Sequence, residues 1–316
     1  MLPLFQAENP FRAQLAARLS ELAGSGIFLG TSSWKYEGWI GQVYTESRYW
    51  TRGRFSQKKF EAECLAEYAE VFPTVCGDFS FYQFPSPEYW SRLFGSAPST
   101  LRFAFKAPED ITVRIFPTHA RYGARGGKEN PNFLDAALFT SAFASLLRPY
   151  ARQVCAVIFE FGTFSKQAMP SLDHFLTRLD AFLQALPQDF RYAVEIRNPE
   201  YLTPEYFACL SARNAAHTFN AWTRMPQVAA QIRLPGAFTA DFTVVRALLR
   251  QGRNYERAVD TFAPYREIQD PDPSTREAIR DIMRHAKARN QEAYIYVNNR
   301  LEGNAPGTIQ AIVEPS

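Results

Sequence analysis

The chain has 316 residues, of which 46% are hydrophobic, and it carries 35 lysines and arginines against 32 aspartates and glutamates. This composition is typical of a folded, soluble protein with a large core, so it excludes a disordered chain, a collagen and a coiled coil. The formal net charge of +3 leans only weakly towards anionic partners and falls short of the basic balance that nucleic-acid or membrane-surface binding usually needs.

The first predicted element is a helix over residues 10–23. Asn9 is placed to cap it, Pro10 occupies its first position, and Gly24 ends it. Short apolar runs then alternate with helical patterns along the chain. We predict strands at 27–34, 74–82, 101–106, 154–161, 192–197, 217–222, 242–248 and 293–299.

Helical patterns separate most of these strands. The helix that begins at Pro204 has Thr203 in position to cap it, and Ser274 with Glu277 forms the pattern of a capping box. We predict helices at 55–72, 87–94, 132–150, 172–186, 204–210, 274–283 and 306–313.

Eight short apolar strands without polar alternation indicate parallel strands that are buried on both faces. The expected fold is therefore an α/β protein, a TIM (β/α)8 barrel with an additional N-terminal helix, as a single domain over 1–316 with the barrel at about 27–313. An open doubly wound sheet is the rival. The glycine-rich segment 123–127 follows the third strand and not the first, so the dinucleotide-binding fingerprint is missing.

Polar side chains stand at the carboxyl ends of the predicted strands, where barrel enzymes hold their catalytic groups. They are Asp78, Lys106, Glu160, Glu195, Arg197, Asn220, Arg246, Asn298 and Asn299. Because strand side chains alternate, Glu195 and Arg197 share an inward face. Cations and carboxylates in one confined mouth are unfavourable unless they pair or meet a ligand. The sequence thus predicts a functional site at the barrel mouth, and a purely structural ion-pair network is the alternative.

The segment after the eighth strand combines glycine, asparagine and proline before a helix. Asn298, Asn299 and Asn304 in this segment, with Arg246 one strand away, form a candidate anion cradle. The alternative is a tight turn in which Asn304 only caps the helix.

Aromatic and basic residues follow the first three strands. Trp34 and Tyr82 could stack on a sugar or a base, although loop aromatics often only pack on the rim. The segment 112–131, which contains His119 and several cations, is long enough to form a mobile lid, and a solvated basic loop would explain it equally well.

No motif indicates a metal or a cofactor. The histidines have no metal-ligand spacing, and neither a nucleophile elbow nor a Walker loop is present. The cysteines include no CxxC pair, the residues before Gln14 form no long apolar leader, and no run reaches the roughly 18 apolar residues of a membrane span. We therefore expect a cytoplasmic protein without membrane, metal or cofactor.

Several short motifs, in this order, resemble the YecE-like family, also called domain of unknown function 72. They are Gly30-Thr31-Ser32-Ser33-Trp34, Gly38-Trp39, Phe81-Tyr82, Phe105-Lys106-Ala107-Pro108, Thr118-His119, Val194-Glu195-Ile196-Arg197-Asn198, Val245-Arg246, Asn298-Asn299 and Gly303-Asn304-Ala305-Pro306. The resemblance implies a TIM barrel with shared polar residues at its carboxyl end and implies no particular reaction. Cys76, Asp78, Asn198 and Leu248 depart from the family pattern, so the chain resembles a divergent member.

These observations lead to three functional hypotheses. The first is an enzyme that acts by acid–base chemistry on a small anionic or sugar-like substrate, with Glu195 as general acid or base, Lys106 as stabiliser of negative charge, and Arg197 and Arg246 as anion ligands. Glu160 and Asp78 are further catalytic candidates. The second is a barrel that binds or processes nucleic acid, and the third is a ligand-binding barrel without catalysis.

Overall fold

The computed structural model of the protein describes residues 9–314. Within them the strands, in chain order, are β1 (Ile27–Thr31), β2 (Trp50–Thr51), β3 (Arg54–Phe55), β4 (Thr74–Gly77), β5 (Arg102–Lys106), β6 (Val154–Phe161), β7 (Tyr192–Ile196), β8 (Ala216–Ala221), β9 (Phe242–Ala247) and β10 (Glu292–Val297). A closed barrel contains all of them except β2 and β3, in the order β1-β10-β9-β8-β7-β6-β5-β4, and every neighbouring pair is parallel. The predicted TIM barrel is confirmed.

Helices lie between the barrel strands. Their bounds are α1 (Pro10–Gly24), α2 (Gln57–Tyr68), α3 (Pro87–Gly95), α4 (Glu109–Thr112), α5 (Ala136–Phe139), α6 (Ser145–Leu147), α7 (Leu172–Gln184), α8 (Pro204–Ser211), α9 (Val228–Gln231), α10 (Tyr255–Phe262), α11 (Pro273–Ala288), α12 (Asn299–Glu302) and α13 (Ala305–Val313). As predicted, Asn9 caps α1 by accepting a hydrogen bond from the Phe11 N–H at 3.1 Å. No helix in the described part of the chain is both long and apolar enough to cross a membrane.

Several predicted elements differ from the observed ones. The strand predicted at 27–34 ends at Thr31, and the helix predicted at 55–72 begins at Gln57. Strand β4 ends at Gly77, because the chain turns into a 3₁₀ helix at Phe79–Phe81. The predicted helix 132–150 contains a π-helical turn at Thr140–Ala144. Helix α11 is capped by Asp272, which accepts from the Thr275 N–H at 3.0 Å, so the predicted capping box of Ser274 and Glu277 is wrong.

Side-chain alternation divides each barrel strand into an inner and an outer face. The inner residues form their own apolar cluster, distinct from the larger core between barrel and helices; it contains Phe28, Cys76, Ala104, Cys155, Ala156, Ile158, Ala193, Ala216, Phe242, Val244, Tyr294 and Tyr296. The next inward position towards the carboxyl end, two residues on, is charged on four of these strands: Lys106, Glu160, Glu195 and Arg246. The apolar interior therefore ends where the charged layer begins.

The segment 112–131, predicted as a possible lid, is tied to the barrel top. The Asn130 amide donates to the carbonyl oxygens of Asp110 and Val113, both at 2.7 Å. Arg114 pairs with Glu129 at 3.0 Å within the segment. These bonds hold both the entry and the exit of the segment against α4.

Candidate functional site

Six charged residues meet at the carboxyl end of the barrel, and we call this set the charged floor: Asp78, Lys106, Glu160, Glu195, Arg197 and Arg246. Backbone pairing places Glu160 beside Glu195 on neighbouring strands β6 and β7. Every member forms at least one ion pair with another member. The convergence of distant strand ends that the sequence predicts is observed.

One oxygen of Glu160 forms ion pairs with three cations. Its Oε2 lies 2.9 Å from Lys106 Nζ, 2.9 Å from Arg197 Nη2 and 2.6 Å from Arg246 Nη1. Charge-assisted bonds of this length are the strong ones in proteins. Glu160 therefore joins the three cations of the charged floor at one point.

Glu195 uses both of its oxygens. Arg197 donates to Oε1 through Nη2 at 3.2 Å and Nε at 3.3 Å, and Arg246 donates to Oε2 at 2.5 Å. The side chain has no exposed surface. Because Glu195 has no exposed surface and both of its oxygens are paired, a ligand could not reach it in this arrangement. Its role is to position the arginines that it binds.

Asp78 differs from the other two carboxylates because it reaches solvent. Its side chain is 34% exposed, against 7% for Glu160 and 0% for Glu195. Oδ1 accepts from Arg246 Nη2 at 3.0 Å, and Oδ2 accepts no hydrogen bond from the described residues. Asp78 is thus the accessible carboxylate of the charged floor.

The charges of the floor stabilise one another in spite of burial. For Glu160, burial is the largest influence and raises the pKa, but Arg197, Lys106 and Arg246 together outweigh it and hold the pKa below the ordinary value. For Arg246, burial lowers the pKa, and Glu195, Asp78, Cys76 and Glu160 outweigh it, so the pKa rises. Both side chains are charged at neutral pH.

Two cations of the charged floor lie over aromatic rings. The Lys106 ammonium lies 3.7 Å from the centre of the Phe81 ring, and the Arg197 guanidinium lies 3.7 Å from that of Trp222. Cation–π contacts of this kind contribute about 0.5–2 kcal/mol. Phe81 and Trp222 thus fix the directions of Lys106 and Arg197.

Two further aromatic residues stand around the mouth with arginines stacked on them. Arg121 lies 4.5 Å from the centre of the Tyr82 ring, and Arg300 lies 4.5 Å from that of Tyr255. Tyr82 is 54% exposed and Tyr255 44%. We call Phe81, Tyr82, Trp222 and Tyr255 the aromatic rim.

Three of the predicted ligand residues are used by the protein itself. Asn304 caps α13 by accepting from the Gly307 N–H at 2.6 Å, and its amide donates to Gln42 and to the Tyr265 carbonyl oxygen. Asn298 caps α12 by accepting from the Arg300 N–H at 3.0 Å. The Asn299 Oδ1 accepts from the Trp39 indole N–H at 3.2 Å and from the Ala305 N–H at 2.8 Å. The oxygens of all three therefore serve as helix caps and loop ties, whereas the Asn299 amide nitrogen is buried without a partner among the described residues.

The remaining predicted residues lie in different surroundings. Asn220 points into the barrel, where its amide donates to the Ile196 carbonyl oxygen at 3.1 Å and its Oδ1 is buried without a partner. Trp34 is buried with its ring edge-on to Phe79. His119 is exposed, and its Nδ1 accepts from the Arg121 N–H at 3.2 Å. Trp34 is therefore packed inside the loops and offers no exposed ring face, whereas the Tyr82 ring is exposed to solvent.

Sequence reasoning missed Trp222, Tyr255 and Arg300, which the structure places at the mouth. Trp222 lies two residues after the inward Asn220, so the strand alternation continued past the end of β8 would have found it. Arg300 lies inside the polar segment after β10 and was passed over for the asparagines beside it.

No group of three or more histidine, cysteine, aspartate or glutamate side chains within residues 9–314 could hold a metal ion. The cysteines Cys64, Cys76, Cys155 and Cys209 are all free thiols.

Comparison with known proteins gives the family. The model of a family described as "Protein of unknown function DUF72" matches residues 28–315. The chain belongs to the DUF72 family. The UPF0759 protein YecE of Escherichia coli K12 is 24% identical over 176 residues, which are 55% of this chain and 50% of the relative. The chain thus spans about half the length of the curated relatives it matches.

Solved DUF72 structures share the fold. A DUF72 protein of Thermotoga maritima is similar with a TM-score of 0.58 at 19% identity, over 90% of this chain and 97% of the other. A DUF72 protein of Enterococcus faecalis gives 0.58 at 16% identity, over 92% and 96%. At these identities the likeness concerns the fold alone, and the chemistry has to be argued from the site of this chain.

Proposed function

We propose that this DUF72 barrel is an enzyme that performs acid–base chemistry on a small anionic or sugar-like substrate at the barrel mouth. The supporting observation is that one carboxylate, Asp78, is accessible while it rests on a fixed array of buried charges. Structural ion-pair networks need no such accessible member. Perturbed charges in a cleft are typical of catalytic sites.

In this proposal, Asp78 transfers the proton. Its Oδ1 is held by Arg246, and its free Oδ2 is available to accept a proton from a bound substrate. Glu195 takes a different role from the one expected from the sequence, because it has no exposed surface. It positions Arg246 and Arg197, and Arg246 in turn orients Asp78.

Lys106 and Arg197 supply the positive charge that stabilises negative charge as it develops on the substrate. Their side chains are 8% and 13% exposed, so one edge of each reaches the mouth. Preorganised cations of this kind lower the barrier because they need no reorganisation during the reaction. The oxygens of Glu195 and Oε2 of Glu160 already accept from these cations and from Arg246, so proton transfer is a better use of the site than metal ligation.

The experiment begins with a thermal-shift screen of sugars, sugar phosphates and sugar acids, since a bound ligand raises the melting temperature. Compounds that stabilise the protein are then assayed for conversion. We expect Asp78→Asn to lower turnover by about 10²- to 10⁴-fold with only a small fall in the melting temperature.

The matched control is Asp173→Asn on the exposed face of α7, which removes the same charge far along the chain from the mouth. It should retain wild-type turnover. If Asp78→Asn also retained it, the acid–base proposal would be wrong. If a ligand bound and no condition converted it, the non-catalytic ligand-binding barrel would replace the enzyme.

Nucleic-acid binding is a second candidate, supported by the exposed Tyr82 ring with Arg121 stacked on it. The basic loop beside it is largely neutralised, because Arg121 pairs with Glu109 and Arg125 with Asp110. This pairing favours the small substrate. Binding of an oligonucleotide whose affinity falls steeply with salt would support the second candidate instead.

A further inference from the structure

The charged floor is electrically balanced, which bears on where an anionic ligand can bind. It contains the three cations Lys106, Arg197 and Arg246 and the three carboxylates Asp78, Glu160 and Glu195, and all six are paired. An anion placed against Arg197 or Arg246 would have to displace a buried carboxylate, which is strongly unfavourable. A permanently charged group of a ligand therefore needs a counter-charge from outside the floor, whereas Lys106 and Arg197 can still stabilise partial charge that develops during the reaction.

Arg300 is a cation of the mouth that has no carboxylate partner. It lies in α12 directly after β10, and no carboxylate of the described residues comes within 4.0 Å of it. Its guanidinium is stacked on the Tyr255 ring of the aromatic rim, so its position is fixed. Its Nε is buried and donates to no acceptor in residues 9–314. A held arginine with an unused donor is suited to bind an anion.

Two tyrosines stand beside Arg300. The Tyr36 and Tyr265 rings pack edge to face with their centres 5.5 Å apart. The Tyr36 ring also packs on the Trp39 ring at 4.8 Å, the Trp39 indole N–H donates to Asn299, and the Tyr265 carbonyl oxygen accepts from Asn304, so both tyrosines lie against the segment that contains Arg300. Burial raises the pKa of both tyrosines. Their hydroxyls stay protonated at neutral pH and can donate hydrogen bonds to an anion.

Unpartnered polar atoms also gather where β1 and β10 end. The Ser32 hydroxyl and the Asn299 amide nitrogen are buried and have no hydrogen-bond partner among the described residues. Both residues are 1% exposed, and the Ser32 N–H donates to the Val297 carbonyl oxygen at 3.1 Å, which ties the two strand ends together. Buried polar groups are normally satisfied. Two such groups at the joined ends of β1 and β10, the strand that leads into Arg300, point to a polar ligand at this corner of the mouth.

We propose that Arg300, with the hydroxyls of Tyr36 and Tyr265, binds the anionic group of the ligand. Asp78 follows β4 and Arg300 follows β10, and these two strands flank β1 in the barrel, so a ligand held by its anion at Arg300 presents its neighbouring part to the accessible carboxylate. The substrate is then a polyhydroxyl compound with one terminal phosphate or carboxylate. This assignment of the substrate class rests on the proposed function, whereas the anion site stands on Arg300 alone.

The test is a calorimetric titration with inorganic phosphate at constant ionic strength, with chloride as the exchanged anion. The wild-type protein should bind phosphate in a saturable manner. Arg300→Gln should weaken that binding by about tenfold or more, because it removes the charge-assisted hydrogen bonds of the guanidinium to the anion. The control is Arg233→Gln, which removes the same charge from an exposed residue between α9 and β9 and should bind as the wild type does.

A second variant protects the test against misfolding. Tyr265→Phe removes one hydroxyl and keeps the ring, so it should fold and bind phosphate several-fold more weakly. Absence of saturable binding to the wild type, or equal binding by wild type and Arg300→Gln, would overturn the anion site. An equal loss in Arg233→Gln would overturn it too, because the effect would then be one of overall charge.

Competition experiments distinguish a terminal phosphate from a terminal carboxylate on the ligand. The competitors of inorganic phosphate are glucose, glucose 6-phosphate and glucuronate. Competition by the phosphate ester or by the uronate, and not by glucose, supports the substrate class, and competition by glucose alone contradicts it. Asp78→Asn should still bind phosphate. If it does and the wild type converts no ligand, the proposed enzyme fails while the anion site stands.

Discussion

Arg246 is the residue around which the charged floor is organised. Its Nη1 donates to Glu160 and Glu195, and its Nη2 donates to Asp78. The three carboxylates follow or belong to three different strands, β4, β6 and β7, while Arg246 lies on β9. A planar guanidinium with five donors can make these bonds, and a lysine ammonium at the same place could not make them in one plane.

This arrangement predicts that Glu195→Gln destabilises the fold. The change leaves Arg197 and Arg246 without one buried counter-charge, and breaking a buried pair in this way costs about 3–5 kcal/mol. Urea denaturation followed by circular dichroism measures the loss as a lower midpoint.

Asp78→Asn is the matched comparison, because it removes a carboxylate bonded to the same guanidinium at a site that is one-third exposed. We expect a clearly smaller loss of stability. Equal midpoints for Glu195→Gln and the wild type would contradict the positioning role and return Glu195 to the list of reactive groups.

At the scale of elements, the loop after β1 and the segment after α10 meet so closely that only glycine fits. A Cβ atom on Gly38 would lie 1.8 Å from the carbonyl oxygen of Pro264. Tyr36 and Tyr265, two and one residues away from this contact, pack against each other. The close approach of two backbones thus builds the corner in which Arg300 lies.

We therefore expect Gly38→Ala to separate the two segments, because neither backbone can yield without moving its neighbours. The melting temperature should fall and phosphate should bind more weakly. Gly24→Ala at the end of α1 is the control, since nothing lies within 4 Å of its added methyl group. Unchanged phosphate binding in Gly38→Ala would show that the corner does not depend on this contact.

Most strands were predictable because each follows one local rule, an apolar run between turn signals. Strand β6 coincides with the predicted run 154–161, since all eight of its residues are buried. The predicted strand 74–82 was too long, because Phe79 and Phe81 continue the apolar run while the backbone already turns. Periodicity reports burial and does not report where a chain bends.

At the scale of the whole molecule, alternation and parallel strand order were enough to bring the charged floor together. The carboxyl ends of all the parallel strands lie on the same side of a barrel, whatever the sequence of the connecting segments. The rim was not predictable in this way. Trp39 donates to Asn299, 260 residues further along the chain, and no local pattern encodes such a contact between loops. The location of the site could therefore be predicted from the sequence, and the roles of its residues could not.

His217, a buried histidine outside the charged floor, makes the global stability depend on pH. It lies against the rings of Tyr206, Phe207 and Phe219. Burial lowers its pKa from 6.5 to about 3, although a hydrogen bond with Gln231 acts in the opposite direction. The unfolded chain takes up a proton below pH 6.5 and the folded chain does not. Stability is therefore complete above pH 6.5 and falls as the pH drops through this window.

We expect a loss of about 2 kcal/mol between pH 6.5 and pH 5 from His217, since each pKa unit corresponds to about 1.4 kcal/mol. Below about pH 4.5, Glu160 adds to the loss, because its pKa is lowered in the folded state. Urea unfolding at a series of pH values measures both. His217→Phe should flatten the upper part of the curve, exposed His174→Gln should not, and an unchanged slope in His217→Phe would contradict the assignment.

A floor in which one guanidinium serves three acids also constrains how the protein can diverge. Loss of a fully buried member such as Glu195 leaves an opposite charge buried without that partner, whereas joint replacement of a cation and its carboxylate by apolar side chains of similar volume can be nearly neutral. Descendants of this chain can therefore abandon the charges together more easily than one at a time. The carboxylates and cations of the charged floor are therefore expected to be kept or lost together.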